Sequence, residues 1–347
     1  MITRNDRTGH RSWIGSALIA FLFLSFPPEK AIGQDIHFSQ FFNVPMALGP
    51  GSIGAFEGDH RVHAVFRQQW RSVTKPYRTI GIGGDSRSVA GIEKLSVGAW
   101  IFSDRAGDSR MDQFRLDLGA SWTEKFGSDH TITFGTQFGF TSISIDESDL
   151  SFNEQYNGFY HDPSLPTGEQ FDRQAMTHPD LHAGIVYRYS PAPRQRIQAG
   201  MNFFNITRPE IGFLLTPAVP LDLRSAFHVT AQFPIAATLD LLPMMQLMKQ
   251  GTFTEFDLGA NLRHIMLDRY GVLRAVQFGL HWRADDAGYA YAGLEYDDWT
   301  FGISYDLNTS DLVPASRHRG AIEFTLIRIF RRHPAVPAIF KECPDQL

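Results

Sequence analysis

Residues 112–145 read DQFRLDLGASWTEKFGSDHTITFGTQFGFTSISI. On the first arm Phe114, Leu116, Leu118, Ala120 and Trp122 alternate with Gln113, Arg115, Asp117, Gly119, Ser121 and Thr123. A period of two gives a strand with one apolar face and one polar or small face. Lys125–Asp129 supplies a turn rich in Gly, Ser and Asp. The second arm places Ile132, Phe134, Phe138 and Phe140 on one face and Thr131, Thr133, Gln137 and Thr141 on the other. Globular strands run to about five or six residues, whereas a membrane-spanning strand needs about nine to eleven. Both arms are of the longer kind. The stretch predicts a membrane hairpin; the competing reading is a long hairpin of a soluble β-sandwich.

The 347-residue chain has room for one large barrel or two ordinary domains. Its mean hydropathy of −0.19 is no helical-membrane signal, but barrels escape such scans because their lumen-facing residues are polar. A net charge of −5 gives no support to nucleic-acid binding. The single cysteine, Cys343, has no intramolecular partner for a disulfide.

Met1–Gly33 has the form of a secretory signal: Arg4, Arg7 and Arg11, an apolar run from Ile14 to Phe26, then Ala31-Ile32-Gly33 before a mature start at Gln34. The apolar run is shorter than the roughly 20 residues of a spanning helix. Gln34–Glu57 is an aromatic, Gly- and Pro-rich lead-in without helical period, whose aromatics either plug a lumen or dock a periplasmic partner. From Arg61 the alternation recurs to the chain's end. Fourteen strands are expected: Arg61–Trp70, Tyr77–Asp85, Leu95–Phe102, Met111–Lys125, His130–Asp146, Pro179–Tyr189, Arg196–Ile206, Ser225–Phe233, Ile235–Lys249, Phe253–Arg263, Arg274–Arg283, Tyr289–Tyr296, Asp298–Leu307 and His318–Phe330. Ile235–Lys249, with Pro243, reads equally as an interrupted strand or a short helix. An even count suits a bacterial outer-membrane barrel. With both chain ends periplasmic, the long connections Glu147–His178, Thr207–Arg224 and Asn308–Arg317 fall outside. Lys125–Asp129, Ser190–Gln195 and a tight connection at Pro234 fall inside, and His264–Leu273 breaks the trend. The fold expected is therefore all-β: a transmembrane antiparallel β-barrel over residues 58–330, with a lead-in at 34–57 and a periplasmic C-terminal tail at 331–347. Phe152, Tyr156, Phe159 and Tyr160 in the longest loop are candidate partner-binding residues, because aromatics are enriched in interface cores. Cys343 is a second candidate, as a lone thiol in the tail.

No catalytic motif, cofactor site or metal site is expected. Gly81-Ile82-Gly83-Gly84 lacks the third glycine and the helix of a dinucleotide fingerprint, and reads as a small-residue strand. His161-Asp162 and His178-Pro179-Asp180 lack helical ligand spacing, and Asp104–Asp108 reads as a turn braced by Arg105.

Collinear stretches resemble the PorP/SprF family of outer-membrane proteins in type IX secretion and gliding motility. Gln34, Asp35, Phe38, Ser39 and Gln40 match its QDPxFSQ opening, with Ile36 in place of proline. Arg67, Gln69 and Trp70 match its YRNQW, and Asp104, Arg105, Gly107 and Asp108 its DRAGD loop. Thr207 and Pro209 match its T-(Q/R)-P stretch, Tyr305 and Asp306 its YD(L/V)xxS, and Cys343 and Pro344 its terminal C-P. The resemblance implies an outer-membrane barrel, in contact with membrane lipid, that helps secrete and anchor a surface protein or adhesin and contacts periplasmic components of the secretion machine. The alternative is a diffusion channel or small-molecule transporter.

Overall fold

In the computed structural model, residues 36–71, 75–107, 111–146, 150–168, 171–213, 219–269, 272–310 and 313–331 are described. The expected signal at Met1–Gly33, together with Gln34, Asp35, Asp108, Cys343, Pro344 and the tail beyond Arg331, lies outside them.

The strands are β1 (His60–Gln69), β2 (Tyr77–Ser86), β3 (Leu95–Ala106), β4 (Met111–Phe126), β5 (His130–Ser144), β6 (Ala175–Ala192) and β7 (Gln195–Phe204). A two-residue hairpin, β8 (Glu210–Ile211) with β9 (Val219–Pro220), sits in the following connection. Then come β10 (Arg224–Ala236), β11 (Leu239–Gln250), β12 (Phe253–Arg269), β13 (Val272–Arg283), β14 (Ala287–Tyr296), β15 (Trp299–Asn308) and β16 (Arg319–Phe330). Apart from the small hairpin, each strand pairs with its sequence neighbours, and β1 pairs β16 to close a fourteen-stranded antiparallel barrel. Closure satisfies the backbone and removes both edges, which hydrocarbon demands.

The alternation expected of the opening hairpin is realised. Phe114, Leu118, Trp122, Phe134, Phe138 and Phe140 point outward and are exposed, while Arg115, Asp117, Ser121, Thr133, Gln137 and Thr141 are buried in the lumen. The barrel thus carries its apolar surface outside, the inverse of a soluble protein.

Several boundaries differ from expectation, for physical reasons. Ile235–Lys249 is neither a helix nor one strand. β10 continues through a register shift between Pro234 and Ala236, the turn is Ala237-Thr238, and β11 starts at Leu239. Pro234 therefore sits in a bulge instead of making the connection. Pro243 is accommodated because the ladder to β10 steps from Thr230–Met244 to Phe233–Leu241, leaving a gap where its missing donor would pair. Toward β12 the ladder is unbroken. His264–Leu273 is not a loop: β12 bulges between Ile265 and Leu267 and runs on to Arg269. Its connection to β13 is tight, so the exception to the loop parity disappears. Asp104 and Arg105 belong to β3, and the turn begins at Gly107, whose φ is +62°.

One end of the barrel, the loop end, carries the described residues 150–168, 205–213 and 313–318; the other, the turn end, carries connections such as Gly127–Asp129, Pro193-Arg194 and Asp297-Asp298. Residues 36–57 run through the lumen as short helical turns at Phe41–Asn43, Pro45–Leu48 and Pro50–Ser52. The apolar core lies where this segment meets the wall: Phe38, Val44, Met46 and Ile53 pack on Val65, Trp100 and Phe102. Phe41 and Leu48 pack on Met244.

Candidate functional site

The lead-in is a plug that reaches every strand of the barrel. It begins at the loop end, where Arg224 on β10 donates to the Ile36 carbonyl at 3.3 Å and His37 meets Glu255 on β12 at 3.2 Å. It leaves at the turn end, where Gly54 N–H donates to Asp85 at 2.7 Å and Asp59 N–H to the Phe330 carbonyl at 2.8 Å. The lead-in, expected to start on the same side as the end of the last strand, has its first described residue at the opposite end of the barrel. Ile36 stands at the loop end and Phe330 at the turn end, because the plug descends the lumen before β1 turns back up.

Its upper half is pinned by ions. Arg67 Nη1 donates to Ser39 Oγ at 2.6 Å and to Glu323 at 2.9 Å, while Nη2 donates to Asp306 at 3.1 Å. Arg283 Nη2 donates to the same Ser39 oxygen at 3.0 Å, and its Nε reaches Asp257 at 3.1 Å. The Ser39 hydroxyl donates in turn to Asp306 at 2.8 Å. One hydroxyl has one proton and two lone pairs, and here all three are used. Glu323 also accepts the successive backbone N–H groups of Ser39 and Gln40, at 3.0 and 2.8 Å. Two guanidiniums face five carboxylates, Asp257, Asp306 and Glu323 together with Asp286 at 2.9 Å and Glu255 at 3.7 Å from Arg283, and the paired amide dipoles add positive potential at Glu323. Below them the Gln40 side chain donates to the Glu323 carbonyl at 3.0 Å, and Asn43 donates to Gln40 and to Tyr291 at 3.1 and 3.3 Å.

The lower half is held by Arg61, which forms a bidentate pair with Asp85 at 2.9 and 2.7 Å and donates to the Ser52 carbonyl at 3.0 Å. Gly54 adopts φ +71°, and Gly135 on β5 lets Pro50 approach so closely that a Cβ there would lie 2.0 Å from its carbonyl oxygen. Toward the turn end a cavity of about 680 Å³ remains, lined by Phe42, Leu48 and Phe56 of the plug and by Arg194, Arg196 and Glu295 of the wall.

Of the residues singled out in the sequence, Phe38, Ser39, Gln40, Arg67 and Asp306 meet in or beside this network. The others do not. Trp70 packs edge-on against Tyr77 beyond Gln69 at the loop end, Asp104 accepts from Thr79 at 2.5 Å, and exposed Arg105 pairs with Asp112 at 2.6 Å. Thr207 and Pro209 brace the loop over β6 and β9, and Tyr305 faces outward. In the long loop Tyr156, Phe159 and Tyr160 are exposed, whereas Phe152 leans on Phe171 at 6.4 Å and is not free. Ser164 donates twice to Asp162, by hydroxyl and by backbone N–H, and holds that carboxyl below its ordinary range. Gly81 and Gly83 lie under Trp100 on β2 and serve packing. His178 and Asp180 pair at 3.1 Å inside the lumen. Among the described residues no group of three or more His, Cys, Asp or Glu is disposed to hold a metal. Arg61, Asp85, Asp257, Arg283 and Glu323 were not singled out. Their signal was their parity, since each is a charge on the lumen-facing set of its strand.

The fold is similar to that of the Pseudomonas putida toluene transporter TodX, at 9% identity and a TM-score of 0.50, covering 82% of this chain and 92% of that one. It is also similar to the CymD monoaromatic hydrocarbon channel (9%, 88% and 96%, TM-score 0.48) and to the Ralstonia pickettii toluene transporter TbuX (10%, 83% and 94%, TM-score 0.47). At such identities the likeness concerns the barrel alone. A search of curated proteins returns no match. The model of the family described as type IX secretion system membrane protein PorP/SprF matches residues 31–327. This plugged outer-membrane β-barrel belongs to the PorP/SprF family of type IX secretion system membrane proteins.

Proposed function

We propose that the chain is a binding and anchoring barrel of type IX secretion, not an enzyme or a pore. It helps secrete and hold a surface protein at its loop end and contacts periplasmic components of the machine at its turn end. In bacterial barrels the long loops are extracellular and the short turns periplasmic, which puts the exposed aromatics of residues 145–174 outside. The observation that carries the reading is the plug: residues 36–57 cross the lumen and are pinned to the wall at both ends. Diffusion would require a path past them, so the channel alternative is disfavoured.

Two measurements test this. The tagged barrel, isolated from outer membrane in mild detergent, should co-purify with a large surface protein and periplasmic secretion components identified by mass spectrometry. In planar bilayers it should be electrically silent. Steady conductance without co-purifying partners would overturn the proposal in favour of a diffusion channel.

A further inference from the structure

On β13 to β16 and β1, the outer wall at the turn end carries a row in which two arginines flank aromatic side chains. Arg274 on β13 pairs with Tyr296 on β14, Tyr296 with Trp299 on β15, Trp299 with Arg328 on β16, and Arg328 with Val62 on β1. Directly opposed residues share a face, and Val62, Tyr296 and Trp282 mark that face as the outward one. The next row toward the loop end, Val276, Leu294, Phe301, Leu326 and Ala64, is wholly apolar. The two arginines therefore stand where the hydrocarbon band ends.

Each guanidinium lies on aromatic faces. Arg328 is 4.7 Å from the Trp299 ring centre and 4.5 Å from that of Phe330, and Arg274 is 4.4 Å from that of Tyr296. Stacking occupies the faces of the planar ion and leaves the N–H donors around its edge. Among the described residues Arg328 has no hydrogen-bond or ion-pair partner, and its Nε is buried and unsatisfied. Arg274 has only Asp297, at 3.8 Å, too long for a hydrogen bond, and its Nε is unsatisfied too. The nearby Asp298 is already engaged by Arg331 at 2.9 Å. A stacked cation at a membrane boundary with idle in-plane donors lacks an anion with several acceptor oxygens.

We infer that Arg328 binds the phosphate of a glycerophospholipid in the turn-end leaflet, with the acyl chains lying along Leu294, Phe301 and Leu326, and that Arg274, across Tyr296 and Trp299 in the same row, adds a second cation at this boundary. The ring platforms of Trp299, Phe330 and Tyr296 orient the donors, and the apolar row above fixes the ligand as a lipid in place of a soluble phosphate. The inference is independent of the role in secretion.

Native mass spectrometry of the full mature barrel released from detergent, titrated with phosphatidylglycerol, provides the test. A retained lipid adduct is expected. Arg328→Gln should lower its apparent affinity about tenfold or more, as expected for loss of charge-assisted hydrogen bonds, and Trp299→Leu should lower it less. Arg105→Gln at the loop end should leave it unchanged. A heat-dependent gel shift of each variant verifies that the barrel is folded. Equal retention of phosphate-free diacylglycerol, equal binding by folded Arg328→Gln, or displacement by inorganic phosphate alone would overturn the assignment. Preferential displacement by lipid A would overturn the assigned leaflet.

Discussion

Replacing Arg67 with methionine should unpin the upper half of the plug while leaving the barrel closed. The guanidinium makes three hydrogen bonds, to Ser39, Glu323 and Asp306, and is almost wholly buried. Methionine keeps much of the stem volume and removes the charge. Breaking one partner out of a buried ionic cluster costs about 3–5 kcal/mol, because the opposite charge is left uncompensated. Here Glu323 keeps two backbone donors and Asp306 keeps Ser39 and the 3.4 Å contact with Arg283. The lower figure applies, about 3 kcal/mol, or roughly two decades in the ratio of docked to undocked plug. The ten register pairs between β1 and β16 are untouched, so the closed barrel persists and the equilibrium loss shows in docking, whatever the effect on the rate of closure. Hydrogen exchange of the amides of Asn43 and Val44, bonded to Gln40 and Phe41, should accelerate by that factor. Brief conductance events should appear in planar bilayers. Adding Glu323→Gln removes the stranded charge and should recover part of the protection. Unchanged exchange in Arg67→Met, or a double variant looser than the single, would show that the plug is held by packing and not by ions.

Leu118 lies mid-strand on the lipid face, so Leu118→Arg should cost about 2–4 kcal/mol and lower outer-membrane yield; Thr230→Arg, facing the luminal cavity, should change yield little. Asp117→Arg is not a neutral lumen control, because Asp117 pairs with Arg115 at 2.8 Å in a buried site and its loss should also reduce yield. Gly135→Leu should eject residues 49–52 from the wall, seen as faster exchange there in a barrel that still shows its heat-dependent gel shift. A protease site inserted near Ser164 should be cut on intact cells, and protection until lysis would reverse the orientation. A cysteine at Ile36 should be labelled by an impermeant maleimide only from the loop side, and one at Arg331 only after the outer membrane is permeabilised; labelling of both from one side would refute the descent of the plug.

The wall was legible because burial in a barrel obeys one rule, alternation, which each strand repeats without needing its neighbours. Phe114 to Trp122 and Phe134 to Phe140 announced their faces directly. Prolines hid the strands at Pro234 and Pro243, since a bulge and a local gap in a ladder leave no trace in periodicity. Periodicity ends β12 at Arg263, six residues early, because a bulge at Met266 shifts the alternation by one residue. The plug's role was only half legible: Gln34–Glu57 was set apart by composition, but segments without a period carry no sign of direction. Lumen charges were least legible. Asp257, Arg283 and Glu323 sit in alternating strands as solvated residues would, and only the closed wall brings them to Ser39.

The position of the pins bears on how the barrel closes. Arg67 is on the first strand and Glu323 on the last, and the two are register partners across the β1–β16 seam. Asp306, on the adjacent strand, accepts from the same guanidinium. A barrel closing with an empty lumen would bring these groups together without the two amide donors and the hydroxyl of residues 39 and 40. Glu323 would then keep one guanidinium as its main partner, in a site where unsatisfied charge is costly. With the plug in place, closing the seam and docking the segment satisfy the same carboxylates. Each event therefore stabilises the other. That coupling explains why residues so far apart in the chain as Ser39, Arg67, Asp306 and Glu323 act as one unit. It also requires that Arg67→Met slow barrel closure itself, so that in timed refolding into lipid the folded band should appear later than in the wild type, while Arg61→Met, which loosens only the lower end, should close at the normal rate.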